Sequence, residues 1–177
     1  MKLFLLILVP FITMQTIILF VFTSKTNANE WQIVDDGVMG GKSQGEFKID
    51  TDGNGVFFGT VSLENNGGFS SVRHQLKKMN TSNYSKIVIR LKGDGKMYQF
   101  RVKDDVNSYF SYITTFKTTG AWEEITINTN TLYPSFRGRT LDLPNYSGDY
   151  LEEMVFLVGN KKNEAFQLII DKIQLVK

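Results

Sequence analysis

The chain has no cysteine, one histidine, three prolines and a net charge of only +2. Each scarcity excludes something. Without cysteine there is no disulfide scaffold, no thiolate-held zinc or iron–sulfur centre, and no thiol nucleophile. His74 alone cannot build a multi-histidine metal centre and leaves a single candidate imidazole base. The 20 Lys and Arg stand against 18 Asp and Glu, spread along the chain, so there is no electrostatic footprint for nucleic acid. No stretch of a dozen residues carries a 3.6-residue apolar period, so helices are not expected. What is present is apolar and aromatic: 42% hydrophobic and 13% aromatic residues in 177, enough to core one domain and too few residues for two well-cored ones. Composition therefore points to a neutral, Phe- and Tyr-rich β domain without an enzyme's usual equipment.

The N-terminal residues 3–22 are uncharged, a length that spans a bilayer core as a helix. The run is broken by Pro10 and by the polar step Thr13, Gln15 and Thr16. Lys2 followed by Leu3–Ile12 has the layout of a signal peptide. Ile17–Phe22 has that of a buried strand. The run is read as a leader, residues 1–15, and a domain, residues 16–177, of an exported protein. One uncleaved anchor helix followed by the linker Ser24–Asn29 is the alternative.

Short apolar or alternating runs fill the rest: Val56–Leu63, Phe69–Leu76, Lys86–Leu91, Met97–Lys103, Tyr109–Phe116, Trp122–Asn128, Met154–Val158 and Phe166–Val176. Gly93-Asp94-Gly95 between two of them predicts a tight hairpin. Leu132–Asp149, with two prolines, reads as a long ordered loop. About nine strands and no helix specify a β-sandwich or barrel.

Several motifs imitate chemistry and fail on spacing. A phosphate-binding loop ending Gly41-Lys42-Ser43 needs its first glycine at position 36, which is Asp36. Asp50-Thr51-Asp52-Gly53-Asn54-Gly55 begins like a calcium loop, but the twelfth position is Val61 instead of a bidentate Glu, so a polar hairpin turn is expected. Ser71 and His74 point to opposite faces of a strand, and no strained nucleophile turn is present. The paired carboxylates Asp35-Asp36, Asp104-Asp105, Glu123-Glu124 and Glu152-Glu153 diverge in extended chain and form no acid/base dyad. No catalytic residue, metal or cofactor is expected.

Three segments are more specified than packing requires. The first is Trp31–Ser43, which holds Asp35-Asp36-Gly37-Val38-Met39-Gly40-Gly41-Lys42-Ser43. The second is Phe58–Arg73, which holds Ser62-Leu63-Glu64-Asn65-Asn66-Gly67-Gly68-Phe69, continued through Ser70, Ser71 and Val72 to Arg73. The third is Tyr133–Arg139, which holds Pro134-Ser135-Phe136-Arg137-Gly138-Arg139. Together with the spaced apolar pattern Phe166–Ile173 and the opening Leu19-Phe20-Val21-Phe22, they resemble the complex I intermediate-associated protein 30 family over residues of about 17–177. The resemblance implies a galactose-binding-like jelly-roll sandwich and a non-enzymatic role. It implies a protein partner, as for the assembly factors of respiratory NADH:ubiquinone oxidoreductase; a carbohydrate or small ligand is the alternative. Val21 stands where an acidic residue is usual in the family.

Two structural expectations follow from the residues. The loops 35–43 and 64–69 should pack together as one unit, with Asp36 or Asn66 bonded to backbone amides across the contact. The period-2 rule should place Phe69, Ser71 and Arg73 on one strand face, Arg90 on the matching face of the next, and Gln99 and Arg101 on that of a third. With Ile113 turned to the core, Tyr112 joins them. Arg137 comes from the long loop. These residues make one Arg-plus-aromatic face, suited to carboxylates or sugar hydroxyls, if their strands share a sheet.

Overall fold

The alternating runs pair into two antiparallel sheets. The computed structural model describes residues 15–177, and for Val38 and Met39 the backbone only. All but the last residue of the expected leader 1–15 therefore lies outside the described residues, as does the side chain of Met39. The first sheet runs β3 (Gln44–Ile49), β4 (Gly55–Val61), β13 (Glu164–Val176), β6 (Lys86–Lys92), β9 (Trp122–Asn128). β1 (Thr16–Val21) joins it on β13. The second sheet runs β11 (Arg139–Thr140), β10 (Tyr133–Phe136), β8 (Ser111–Lys117), β7 (Met97–Lys103), β12 (Tyr150–Val158), β5 (Ser70–Asn80), β2 (Gln32–Asp35). Only short 3-10 turns interrupt the strands among the described residues.

The sandwich follows from which residues alternate inward. Phe57, Ile89, Leu168 and Ile173 of the first sheet meet Val72, Phe100, Val102 and Phe156 of the second, all fully buried. Each such side chain contributes about 1.5–3 kcal/mol by leaving water. This core therefore fixes strand register, because a one-residue slip would expel the whole set. It also fixes the opposite faces of the same strands as the places where polar groups can be displayed.

The long strand β13 organises the first sheet. β6 pairs along one edge over Ile169–Val176, and β4 pairs along the other over Glu164–Ile170. Where β4 ends, β1 takes over that edge, with Val21 opposite Lys172 and Thr16 opposite Val176. The second half of the N-terminal apolar run is thus a strand. Phe20 and Phe22 carry it into an aromatic cluster with Trp31, at ring separations of 5.3 Å.

Asp50–Gly55 is the polar hairpin turn expected, joining β3 to β4 with Ile49 opposite Gly55. The Asp50 carboxylate accepts the backbone N–H of Asp52 and of Asn54 inside the turn. Two other expectations need correction. Gly93-Asp94-Gly95 is not a hairpin, because β6 and β7 belong to different sheets and the segment is a crossover. There Asp94 accepts hydrogen bonds from the Tyr98 hydroxyl at 3.0 Å, from Lys96 Nζ at 2.7 Å and from the Gln167 backbone N–H at 3.0 Å. A carboxylate with partners on both sheets takes the place of a ladder. The segment 132–149 is not all loop either. It contains β10 and β11, with Pro134 opposite Tyr112 near the sheet edge, where a missing N–H is tolerated.

Candidate functional site

Asp36 explains the glycine motifs. It is fully buried, and its carboxylate accepts hydrogen bonds from the Ser43 hydroxyl (2.5 Å) and backbone N–H (3.1 Å), and from the N–H groups of Gly68 (2.6 Å) and Phe69 (3.2 Å). Burial alone would raise its pKa, but these four bonds outweigh that and hold it below the ordinary carboxylate value. The two loops therefore pack as one unit, as expected, with Asp36 as the acceptor. Asn65 and Asn66 serve through their backbones, both left-handed at φ 55° and 62°. Each glycine pair divides its work. Gly40 and Gly68 supply positive φ, at 85° and 141°. Gly41 and Gly67 supply space, since a side chain on either would collide with the Asp36 carboxylate.

Gly68 and Phe69, held by Asp36, form one wall of a groove of about 580 Å³ on the outer face of the second sheet. The opposite wall is the β10–β11 turn, with Phe136 opposite Arg139 and Arg137-Gly138 between them. Both turn residues have positive φ, 48° and 76°, the signature of a type I′ hairpin. Tyr109 and Phe110, just before β8, complete the rim. Two of the three segments singled out in the sequence thus form the walls of one groove, and the loop 35–43 holds one of these walls through Asp36.

Its floor is set by register. Val155 of β12 lies opposite Arg73 of β5 on one side and Arg101 of β7 on the other. Leu157 lies likewise between Ser71 and Gln99, and Glu153 lies opposite Lys103. Four cations line the groove (Arg73, Arg101, Lys103 and Arg137) against the single carboxylate of Glu153. Glu153 is buried and stands 3.8 Å from an Arg73 guanidinium nitrogen. Arg73 Nε is buried without a partner. Among the described residues, Arg101 is held by a neutral group alone, the Gln99 side-chain oxygen, at 2.6 and 3.1 Å. Burial, and then the nearby Arg73 charge, lower the Arg101 pKa. Lys103 donates to the carbonyls of Val106 and Ser108, which anchors the loop before Tyr109.

Of the expected face, Phe69, Ser71, Arg73, Gln99, Arg101 and Arg137 line this groove. Two residues do not. Arg90 sits on β6 in the other sheet, bonded to Asp171 at 3.0 Å with its guanidinium 5.0 Å from the Trp122 ring centre. Alternation places a residue on a face of its strand but cannot say which sheet holds the strand. Tyr112 is turned the other way from the expectation. It lies opposite Val102 on the core side and packs on Tyr146, while Ile113 lies opposite Arg101 on the groove side. An Ile does not by itself mark the core side, because Ile113 is buried on the outer face. Sequence reasoning passed over Tyr109, Phe136 and Glu153; the position of Phe136 beside Arg137 in the third segment was the available signal.

His74 lies on the core side of β5, stacked on Trp31 at 4.9 Å. Its Nδ1 is 2.9 Å from the Glu30 carbonyl, which can only accept, so this nitrogen carries the proton. Ser71, on the groove side, donates to the Val34 carbonyl. The two cannot act as a nucleophile and its base. Among the described residues, no group of three or more His, Asp and Glu is placed to hold a metal ion.

Solved structures similar to this chain in fold include carbohydrate-binding modules and an agarase. The family 11 module of the cellulosomal cellulase Lic26A-Cel5E of Clostridium thermocellum superposes with a TM-score of 0.69 at 14% identity, covering 93% of this chain and 95% of that one. The Clostridium thermocellum family 11 module in complex with a β-1,3-1,4-mixed-linked tetrasaccharide gives 0.64 at 16% identity, covering 88% and 94%. The agarase AgWH50C gives 0.62 at 10%, covering 92% of this chain and 24% of that one. At such identities the likeness is one of fold, a jelly-roll sandwich. The profile of the complex I intermediate-associated protein 30 family matches residues 20–170, a span containing the Asp36 unit and both walls of the groove, and the chain belongs to that family.

Proposed function

We propose that this chain is a non-enzymatic binding protein that holds a protein partner in the outer groove of its second sheet. Its role is that of an assembly factor for a respiratory NADH:ubiquinone oxidoreductase or another membrane complex, acting outside the cytoplasm. The observation that carries this reading is the convergence of the three family segments on one groove. Two of them build its walls, and the loop 35–43 holds one wall in place through Asp36. The placement of His74 in the core supports a binding role over a hydrolytic one.

A carbohydrate ligand is the second reading, favoured by the fold of the similar modules and by Tyr109, 64% exposed on the rim. The geometry of the aromatics favours protein. Tyr109 meets Phe136 at 80° and Phe110 at 70°, so the rim offers edges and no shared platform for a row of sugar rings. Neither tryptophan lines the groove.

Pull-down from membrane extracts of the native host, run beside a glycan array, separates the two readings. The expected result is a specific protein partner and no glycan signal; glycan binding alone would overturn the proposal. N-terminal sequencing of the chain from that host is expected to show the leader removed near residue 15. An intact Met1 on a soluble cytoplasmic product would overturn the export.

A further inference from the structure

We infer that the Arg73–Arg101 pair is a carboxylate receptor, and that it reads an acidic side chain in an extended protein segment laid along the groove. The inference rests on the binding role proposed above and names the chemistry of its ligand. Both arginines face the same Val155, one from each neighbouring strand, so their Cα atoms stand about 10 Å apart across two strand spacings. Guanidinium side chains of that reach can close on one carboxylate from opposite sides.

Among the described residues Arg73 has one carboxylate near it, Glu153, in a long ion pair, and Arg101 has none. Glu153 pairs with Arg73 at 3.8 Å, beyond hydrogen-bond range, and among the described residues Arg101 has the Gln99 side chain alone as partner. Arg73 Nε is buried and donates to nothing. Two like charges held close with unused donors gain most from an anion between them. The turn at the opposite wall points the same way. Arg137 occupies a left-handed position at φ 48°, where Asn or Gly is favoured. A third cation is thereby held over the groove against local preference, its guanidinium 5.2 Å from the Phe136 ring centre.

The carboxylate belongs to protein and not to an acidic sugar because of what surrounds it. The floor between the arginines is Val155, with Leu157 one pair further along β12. The rim aromatics meet edge to face. Such a surface takes an apolar or aromatic side chain next to the acidic one, whereas pyranose rings need flat faces to stack on.

The test is an NMR titration of the full-length chain with N-acetyl-Phe-Glu-Phe-amide and its uncharged isostere N-acetyl-Phe-Gln-Phe-amide, following the Nε–Hε signals of Arg73 and Arg101. Oligogalacturonate forms a third arm. The Glu peptide is expected to shift both signals saturably and to bind at least about tenfold more tightly than the Gln peptide, as expected of a charge-assisted contact. Arg101→Gln is expected to abolish the difference with its thermal midpoint kept, and Arg90→Gln, on the other sheet, to preserve it. If Arg101→Gln does not fold, Arg137→Gln, at an exposed turn, is expected to weaken the Glu peptide alone. Equal affinity for the two peptides, or tighter binding of oligogalacturonate, overturns the inference. Should the membrane pull-down succeed with wild type and Arg101→Gln alike, the partner docks elsewhere: the carboxylate receptor falls and the binding role stands.

Discussion

Asp36 is the residue on which most of the local architecture depends. Its carboxylate receives four donors from two loops that are about thirty residues apart in the chain. Replacing it with Asn keeps the shape but turns an NH₂ group toward N–H and O–H donors, leaving some of them buried and unpaired. Asp36→Asn is expected to destabilise the fold by about 2–4 kcal/mol, since orphaned buried donors are costly and the bonds lost were charge-assisted. Urea unfolding measures this as a lowered midpoint at unchanged slope. A midpoint equal to wild type would mean that the loops are held by something else. The packing of the two loops was legible in the sequence, because each glycine pair sits beside a large residue next to a strand, but the choice of Asp36 over Asn66 as the acceptor was not. The division of labour within each pair was not legible. Whether a glycine is needed for φ or for space depends on what lies opposite, and that is set by the fold.

At the scale of the element, alternation located most strands, and the failures have a common cause. β2, β10 and β11 are only two to four residues long, and β3 alternates with Gly45 among its inward positions. Short or glycine-bearing strands carry too little pattern to stand out from turns. The Gly93–Gly95 segment failed differently: its turn chemistry is that of a hairpin, but partner choice lies in β12 and β13, more than fifty residues away. What replaces the hairpin is Asp94, bonded to Tyr98 on one sheet and Gln167 on the other. Burial, and then the Asp94 charge and hydrogen bond, raise the Tyr98 phenol far above its ordinary value, so it remains a donor under all ordinary conditions. Asp94→Ala and Tyr98→Phe should each cost about 1–2 kcal/mol, and the double variant less than their sum, with a coupling of about 1 kcal/mol. Strict additivity in a double-mutant cycle would show that the crossover is held by packing alone.

Across the whole molecule, sheet membership was the information the chain did not display. Arg73 and Arg101 were placed on one face correctly and Arg90 wrongly by the same rule, because period-2 alternation is blind to which layer a strand joins. The same long-range ties that assign strands to layers also set how the fold responds to pH. Asp36 and Asp94 both have pKa values held below the ordinary 3.8. For each, burial opposes the charged form, and hydrogen bonds from Ser43, Gly68 and Phe69, or from Lys96, Gln167 and Tyr98, more than offset it. A carboxylate depressed in the folded state stabilises fully above its unfolded value. That contribution fades as pH falls below 3.8 and through the lower folded values. At the other end, burial pushes the Tyr146 phenol up to about 12, against a smaller opposing effect of the Thr81 hydroxyl. Its contribution is present below the ordinary value of 10 and is lost as pH rises from there through about 12. Stability should therefore form a plateau bounded by one acidic and one alkaline limb. Asp36→Asn and Asp94→Asn should each lower the plateau and flatten the acid limb, because the group that titrates is gone. Tyr146→Phe should make the alkaline limb shallower, leaving the part that Tyr98 contributes, and leave the acid limb unchanged. Thermal or urea unfolding across pH 2–12 measures both limbs. An acid limb as steep in the doubly substituted Asp36→Asn, Asp94→Asn chain as in wild type would assign the acid transition to other carboxylates.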